Sequence, residues 1–170
     1  MPDVYAAMGG NIDPAQRLKR ALRLLKAEFG ALTVSPVYRN PAVGFAGEDF
    51  LNLVVKFSTD LPASEVRQRL QAVEMQCDRP RDAPKWAART MDIDILLYGD
   101  VVSCEPGLTL PRPDLVRRAY MLKPMADVAP RLVHPTLRKT MRELWSEFDA
   151  DAHPMTALQE FRWRDANAGP

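Results

Sequence analysis

Thr90-Met91-Asp92-Ile93-Asp94-Ile95-Leu96-Leu97-Tyr98 is the stretch on which the fold turns. Its apolar and β-branched residues read as a strand, and alternation sends Met91, Ile93, Ile95 and Leu97 to one face while Asp92 and Asp94 share the other, roughly 7 Å apart. Upstream, Pro62 to Cys77 carries Val66, Leu70, Val73 and Cys77 at helical spacing. Phe50 to Ser58 and Leu32 to Arg39 are rich in β-branched and aromatic residues and predict two strands, joined by a loop holding Pro41, Gly44 and Gly47. Asp13 followed by Pro14 reads as a helix N-cap with proline at the first position, and Leu18, Ala21, Leu22, Leu25 and Phe29 continue the period until Gly30. Val4 to Met8 is a first strand, and Gly9-Gly10-Asn11 a turn after it. The order strand, helix, strand, strand, helix, strand is that of the split βαβ unit. It predicts an α+β fold with a ferredoxin-like βαββαβ core, an antiparallel sheet flanked by helices.

Beyond this core, residues 100–135 are punctuated by proline, and a short helix follows with Met141, Leu144, Trp145 and Phe148 on one face. These are C-terminal additions. The tail thins into polar residues and is expected to fray from about 163.

With 170 residues, 46% apolar and 26% charged, the chain has room for one domain spanning 1–170. Its 23 basic and 22 acidic residues leave a net charge of +1, so no global field draws it to nucleic acid or to a membrane surface. The start Met1-Pro2-Asp3-Val4-Tyr5 carries neither a basic leader nor a long apolar run, and no later segment approaches the roughly 18 residues of a spanning helix. Two cysteines and two histidines form no convincing zinc spacing. A cytoplasmic, monomeric protein acting on small molecules is expected.

Chemistry concentrates around the acids. Two carboxylates on an otherwise apolar strand repel each other, and hard divalent cations such as Mg²⁺ offset that repulsion most simply. An isolated D-x-D is equally a solvated sheet edge whose acids pair with nearby arginines. The context favours the metal: Arg79, Arg81, Lys85 and Arg89 precede the acids, and Arg112, Arg117, Arg118 and Lys123 follow. Acids between two cationic clusters suit a metal-bound polyphosphate, with arginine forks neutralising the remaining oxygens. Trp86 is either a surface loop residue or a wall for a base. Tyr38-Arg39-Asn40-Pro41 and Phe50-Leu51-Asn52 offer aromatic and amide groups fitted to a flat heterocycle, although Phe50 could equally be core. Asn52, with apolar neighbours on both sides, reads as a partly buried amide that needs partners.

Taken together, Gly9-Gly10-Asn11, Tyr38-Arg39-Asn40-Pro41 with Gly44, Phe50-Leu51-Asn52, Trp86 with Arg89-Thr90-Met91-Asp92-Ile93-Asp94, and Ala129-Pro130-Arg131-Leu132-Val133-His134-Pro135 resemble the 6-hydroxymethyl-7,8-dihydropterin pyrophosphokinase family, in order and over nearly the whole chain. The most specific part is R-x-x-D-x-D-x-x-x-Y-G ending at Gly99. The resemblance implies a folate-pathway enzyme that moves the terminal pyrophosphate of ATP to the hydroxymethyl group of a reduced pterin and leaves AMP. It implies that Asp92 and Asp94 hold two Mg²⁺ ions and that Arg81 and Arg89 contact phosphates. Gln71, Glu74, Trp86, Ile95, Thr109, Arg112 and Arg118 would line the ATP site. The pterin would stack between Phe50 and Tyr120, with its edge read by Asn52 and by the backbone around Asn40, Pro41 and Val43, and with Asn11 nearby.

Some positions depart from the family's usual residues. Gly10 stands in place of serine, Ala42 of proline, Ala87-Ala88 of a Gly-Pro pair, and Arg112 of histidine. The alanines remove fixed turn geometry, and a permanent cation at 112 holds phosphate without titrating near neutral pH. A catalytically weakened or repurposed pterin- or nucleotide-binding relative is therefore the alternative. A nucleotidyltransferase would place its glycine turn close before the acids, and an RNA-binding module would interleave aromatic and basic residues on its central strands. Neither pattern is present.

Overall fold

The computed structural model describes residues 1–42, 47–77 and 91–163. β1 (Asp3–Gly10), α1 (Pro14–Phe29), β2 (Thr33–Val34), β3 (Val37–Asn40), β4 (Phe50–Ser58), α2 (Ala63–Gln76) and β5 (Asp92–Tyr98) make the core in the expected order. The central strands run β5-β1-β4-β3, every pairing antiparallel, which is the ferredoxin-like arrangement.

Both faces of this sheet are covered. Leu18, Ala21, Leu22 and Leu25 of α1 and Val66, Leu70 and Val73 of α2 are buried with Val4, Ala6, Met8, Leu53, Val55 and Ile93. The opposite face holds Tyr5, Ala7, Val54 and Leu96 against Met121, Leu122 and Met125. Those three belong to α3 (Ala119–Val128), a helix that the proline spacing of residues 100–135 conceals. Pro124 lies inside α3 and is itself buried. A mid-helix proline costs about 3 kcal/mol, so burial of the apolar face must outweigh it.

The same region contains the hairpin β6 (Ser103–Glu105) and β7 (Leu108–Leu110) and a 3-10 turn over Pro113–Val116. α4 (Met141–Ser146) is the expected short helix, started by a capping box between Thr140 and Glu143. β8 (Thr156–Leu158) adds an edge strand beside β3 where only a polar tail is expected.

Four local readings change. Residues 32–39 form two strands, because Pro36 has no N–H to give; Ser35 fills the gap with its Oγ accepting from Val54 N at 2.8 Å. Asp13 does stand before the helix, but its backbone is left-handed at φ 42° and its side chain makes no cap bond, so Pro14 begins α1 without it. Gly9 and Gly10 belong to β1 and not to a turn, each paired with β4. Finally, the β1–β5 register shifts between Tyr5 and Ala6, and this bulge carries Leu97 to the α3 face instead of the face of Ile93 and Ile95.

His134 holds the turn before α4. It is 4% exposed, and its Nδ1 accepts from Thr136 N at 3.3 Å and Leu137 N at 3.2 Å. Burial lowers its pKa below the usual 6.5, so the folded chain favours the neutral ring. Its contribution is therefore complete above about pH 6.5 and is lost as pH falls through the depressed folded value, since the unfolded chain takes up the proton first. Urea unfolding should show stability level above pH 7 and declining as the pH falls below about 6.5. His134→Asn should flatten that slope, and an unchanged slope in the variant would refute the assignment.

Candidate active site

The site grows from one row of residues across the sheet. Pairing aligns Tyr38 of β3 with Asn52 of β4, Asn52 with Gly9 of β1, and Gly9 with Asp92 of β5. Strands lie about 4.8 Å apart, so Asn52 and Asp92 are roughly 10 Å apart with Gly9 between them. Gly9 is required here by crowding and not by its backbone angle. A Cβ at this position would lie 2.2 Å from Asn52 Oδ1 and 3.3 Å from Leu51 O. The Asn52 amide thus lies across the glycine, buried to 7% exposure, and its Nδ2 donates to Asn40 Oδ1. This is the partly buried amide expected of position 52. Asn11 just beyond is also buried. Its Nδ2 donates to Glu48 O at 3.4 Å, while its Oδ1 has no hydrogen-bond partner among the described residues. A buried orphan acceptor of this kind is suited to a ligand N–H.

Asp92 and Asp94 alternate with Ile93 and Ile95, which pack into the core under α1 and α2, so the two acids share the other face. Arg112 lies against them: its Nη1 is 3.5 Å from Asp94 Oδ1 and its Nε 3.5 Å from Asp114 Oδ2. The bland reading of the D-x-D, acids paired with a nearby arginine, is therefore realised at Asp94. At about one-third exposure on both sides the pair is weak. It nevertheless shows a cation seated where the carboxylates draw one.

These groups border a cleft of about 580 Å³ at the outer edge of β5, within the range of small-molecule sites. α2 contributes Gln71 and Glu74, β5 contributes Ile95, the β6–β7 hairpin Thr109, and the following segment Arg112. Five expected nucleotide-site residues therefore meet around the two acids. Arg118 does not line this cleft; its neighbour Arg117 does, as do Arg67 and Gly107. Arg67 is close enough to Gly107 that a Cβ there would come within 2.7 Å of the guanidinium. No pattern in the sequence singles out Arg67 or Arg117, since both read as ordinary surface charges.

Tyr120 opens α3 on the same face. Burial raises its phenol pKa, the Arg118 charge opposes that, and the charges of Asp114, Arg112 and Asp94 act on it more weakly. Phe50, half-buried, is paired with Asn40. Tyr38 escaped the sequence reading as an anchor: its hydroxyl donates to Asp127 Oδ2, tying α3 to β3. Pro41 borders a second cavity at the β3 edge with Trp145 and His153. Val43, Arg81, Trp86 and Arg89 lie outside the described residues.

Two carboxylates match the donor set of Mg²⁺, which is held by one or two carboxylates and completes its shell with water and substrate phosphates. Among the described residues there is no cluster of three or more His, Cys, Asp or Glu side chains able to hold a metal ion.

A ferredoxin-like sheet bearing two acids and a guanidinium at a small-molecule cleft defines the class of phosphate-handling enzymes. The model of the 7,8-dihydro-6-hydroxymethylpterin-pyrophosphokinase family matches residues 5–130, and the chain belongs to that family. It is 34% identical over 149 residues to 2-amino-4-hydroxy-6-hydroxymethyldihydropteridine pyrophosphokinase of Aquifex aeolicus (strain VF5), covering 86% of this chain and 92% of the relative. The protein of the same name from Pseudomonas aeruginosa is 36% identical over 136 residues, covering 78% and 83%. The crystal structure of wild-type Plasmodium falciparum HPPK-DHPS shares the fold with a TM-score of 0.68 at 14% identity, over 86% of this chain. This chain spans 44% of that longer one.

Gly9→Ala tests the row directly. Overpacking against the Asn52 amide should lower stability by about 1–3 kcal/mol in urea unfolding. It should also move the Asn52 side-chain amide signal in ¹H–¹⁵N spectra; an unmoved signal would show that the amide does not lie over the glycine.

Proposed function

We propose that the chain transfers pyrophosphate from ATP to the hydroxymethyl group of 6-hydroxymethyl-7,8-dihydropterin, giving AMP and the pterin diphosphate in folate biosynthesis. Family membership supports the reaction, and the observation that carries it to particular residues is the row Asn52–Gly9–Asp92. It sets a heterocycle-reading amide and a cation-holding carboxylate about 10 Å apart on one face. That span accommodates a flat ring whose hydroxymethyl arm reaches toward the phosphates.

In this reading Asn52, oriented by Asn40, and the orphan Oδ1 of Asn11 read the polar edge of the pterin, with the backbone of Pro41 and Val43 beside them. Phe50 and Tyr120 flank its faces. The nucleotide occupies the cleft along Gln71, Ile95 and Thr109, and Trp86 and Arg118 are assigned to the same nucleotide. Asp92 and Asp94 hold two Mg²⁺ ions. Bound there, the ions would polarise the phosphates and relieve the charge that develops on the leaving AMP. Arg112 then turns its guanidinium from Asp94 to phosphate oxygen, a change that costs little because the pair it leaves is about one-third exposed. Arg81 and Arg89 add two further cations toward the triphosphate. The hydroxymethyl oxygen attacks the β-phosphorus, the bond to the oxygen bridging the α- and β-phosphorus breaks, and the alcohol proton passes to solvent.

The pyrophosphokinase name of the relatives supports the enzyme over a binding-only paralogue. Among the described residues no helix is long and apolar enough to cross a membrane. A cytoplasmic monomer forming one domain over residues 1–170 belongs to the same reading.

The test is AMP release from ATP with saturating hydroxymethyl pterin and Mg²⁺. Asp92→Asn and Asp94→Asn should each lower turnover at least about 100-fold with circular dichroism unchanged, and chelation of divalent cations should do the same to the parent. Full turnover in either variant would refute the role given to the acids.

A further inference from the structure

Glu74 is the one buried acidic side chain among the described residues, 8% exposed in the last turn of α2. A carboxylate taken out of water needs strong hydrogen bonds in return. One of them is defined: Glu74 Oε1 accepts from Ile93 N at 2.7 Å, and that bond is itself buried.

The location of Ile93 gives the bond its meaning. β5 ends the sheet path, paired with β1 along its inner side only. A strand in that position presents unpaired backbone groups outward. Here Leu96 O accepts from Arg112 N at 2.9 Å, and Ile93 N, between Asp92 and Asp94, is taken by Glu74. The peptide that a helix side chain grips thus joins Asp92 to Ile93, so its tilt bears directly on Asp92 and reaches Asp94 through the Ile93 backbone that follows.

We propose that Glu74 is a positioning residue, which by holding the Ile93 N–H sets the spacing and aim of Asp92 and Asp94. This rests on the reading of those acids as the cation ligands. It departs from the expectation that Glu74 serves the nucleotide directly: the carboxylate borders the cleft, but the bond that matters runs to the strand behind it. Groups that orient metal ligands typically change metal affinity 10–100-fold when altered.

Two conservative variants separate the roles. Glu74→Gln keeps an oxygen acceptor and loses the charge, whereas Glu74→Asp keeps the charge and loses one methylene of reach. Mn²⁺ is titrated by electron paramagnetic resonance in the presence of a non-hydrolysable ATP analogue, binding of the analogue is measured calorimetrically without divalent ions, and exchange of the Ile93 amide is followed by NMR. The expected result is Mn²⁺ affinity within about threefold of the parent for Glu74→Gln, and about 10–100-fold weaker for Glu74→Asp with faster Ile93 exchange. Metal-free analogue binding should match the parent in both. Equal weakening of Mn²⁺ by the two variants, unaltered Mn²⁺ binding in Glu74→Asp, or loss of analogue binding without metal would overturn the proposal while leaving the acids as ligands. Asp92→Asn serves as the separate control: if it binds Mn²⁺ as the parent does, the acids are not the ligands and the proposal falls with them.

Discussion

A side chain at position 9 and the Asn52 amide cannot share the same space, and the site depends on that exclusion. The empty position on β1 lets the amide lie across the middle of the sheet within two strand spacings of Asp92. Any Cβ would push Asn52 away from Asn40, the contact that fixes which way its donor and acceptor point. The glycine is needed because a neighbour fills its side-chain volume, and the strand remains ordinary extended backbone.

Around that row each wall comes from a distant part of the chain. The acids arrive on β5, the amide on β4 and the Tyr120 ring on α3, while α2 and the β6–β7 hairpin close the cleft. α3 is tied down by the Tyr38–Asp127 hydrogen bond, and Lys123 adds an ion pair to Asp127 at 2.8 Å. Burial and the Asp127 carboxylate together push the Tyr38 phenol above its usual pKa, so the bond keeps its proton throughout the physiological range. The helix that carries Tyr120 is thereby referred to the strand whose next turn outward carries Asn40.

Much of this is written in short-range pattern. Two acids alternating with isoleucines can only share a face, and an asparagine among Leu51, Leu53 and Val54 can only be a buried amide. The periodic runs of α1 and α2 identify themselves in the same way. What escaped depends on contacts far apart in sequence. α3 contains a proline and is helical because its apolar face is buried against the sheet, a fact absent from residues 119–128 alone. β8 exists because β3 offers an open edge. The bulge that turns Leu97 to the other face is a property of the β1–β5 pair, and alternation within β5 cannot report it. In sequence Gly9 reads as part of a turn, as glycine pairs usually do, and its crowding becomes visible only with Asn52 beside it.

Arg112 shows how two neighbouring carboxylates can be screened by the chain's own cation. Two carboxylates on one strand face repel, and a guanidinium 3.5 Å from Asp94 relieves part of that repulsion. A histidine in its place would lose its charge near neutral pH, and the relief with it; arginine keeps both. Its second partner, Asp114, draws it away from Asp94, so the side chain is shared between two acids and bound firmly by neither. Buried pairs are expensive to break, but the side chains of the Arg112–Asp94 pair are about one-third exposed, so water replaces the Nη1 contact when it is given up, while the Nε beside Asp114 is itself buried. The same cation can therefore screen the acids in the free protein and meet phosphate in the loaded one, and the cost of moving between the two is set by exposure, the property that the outer edge of β5 supplies.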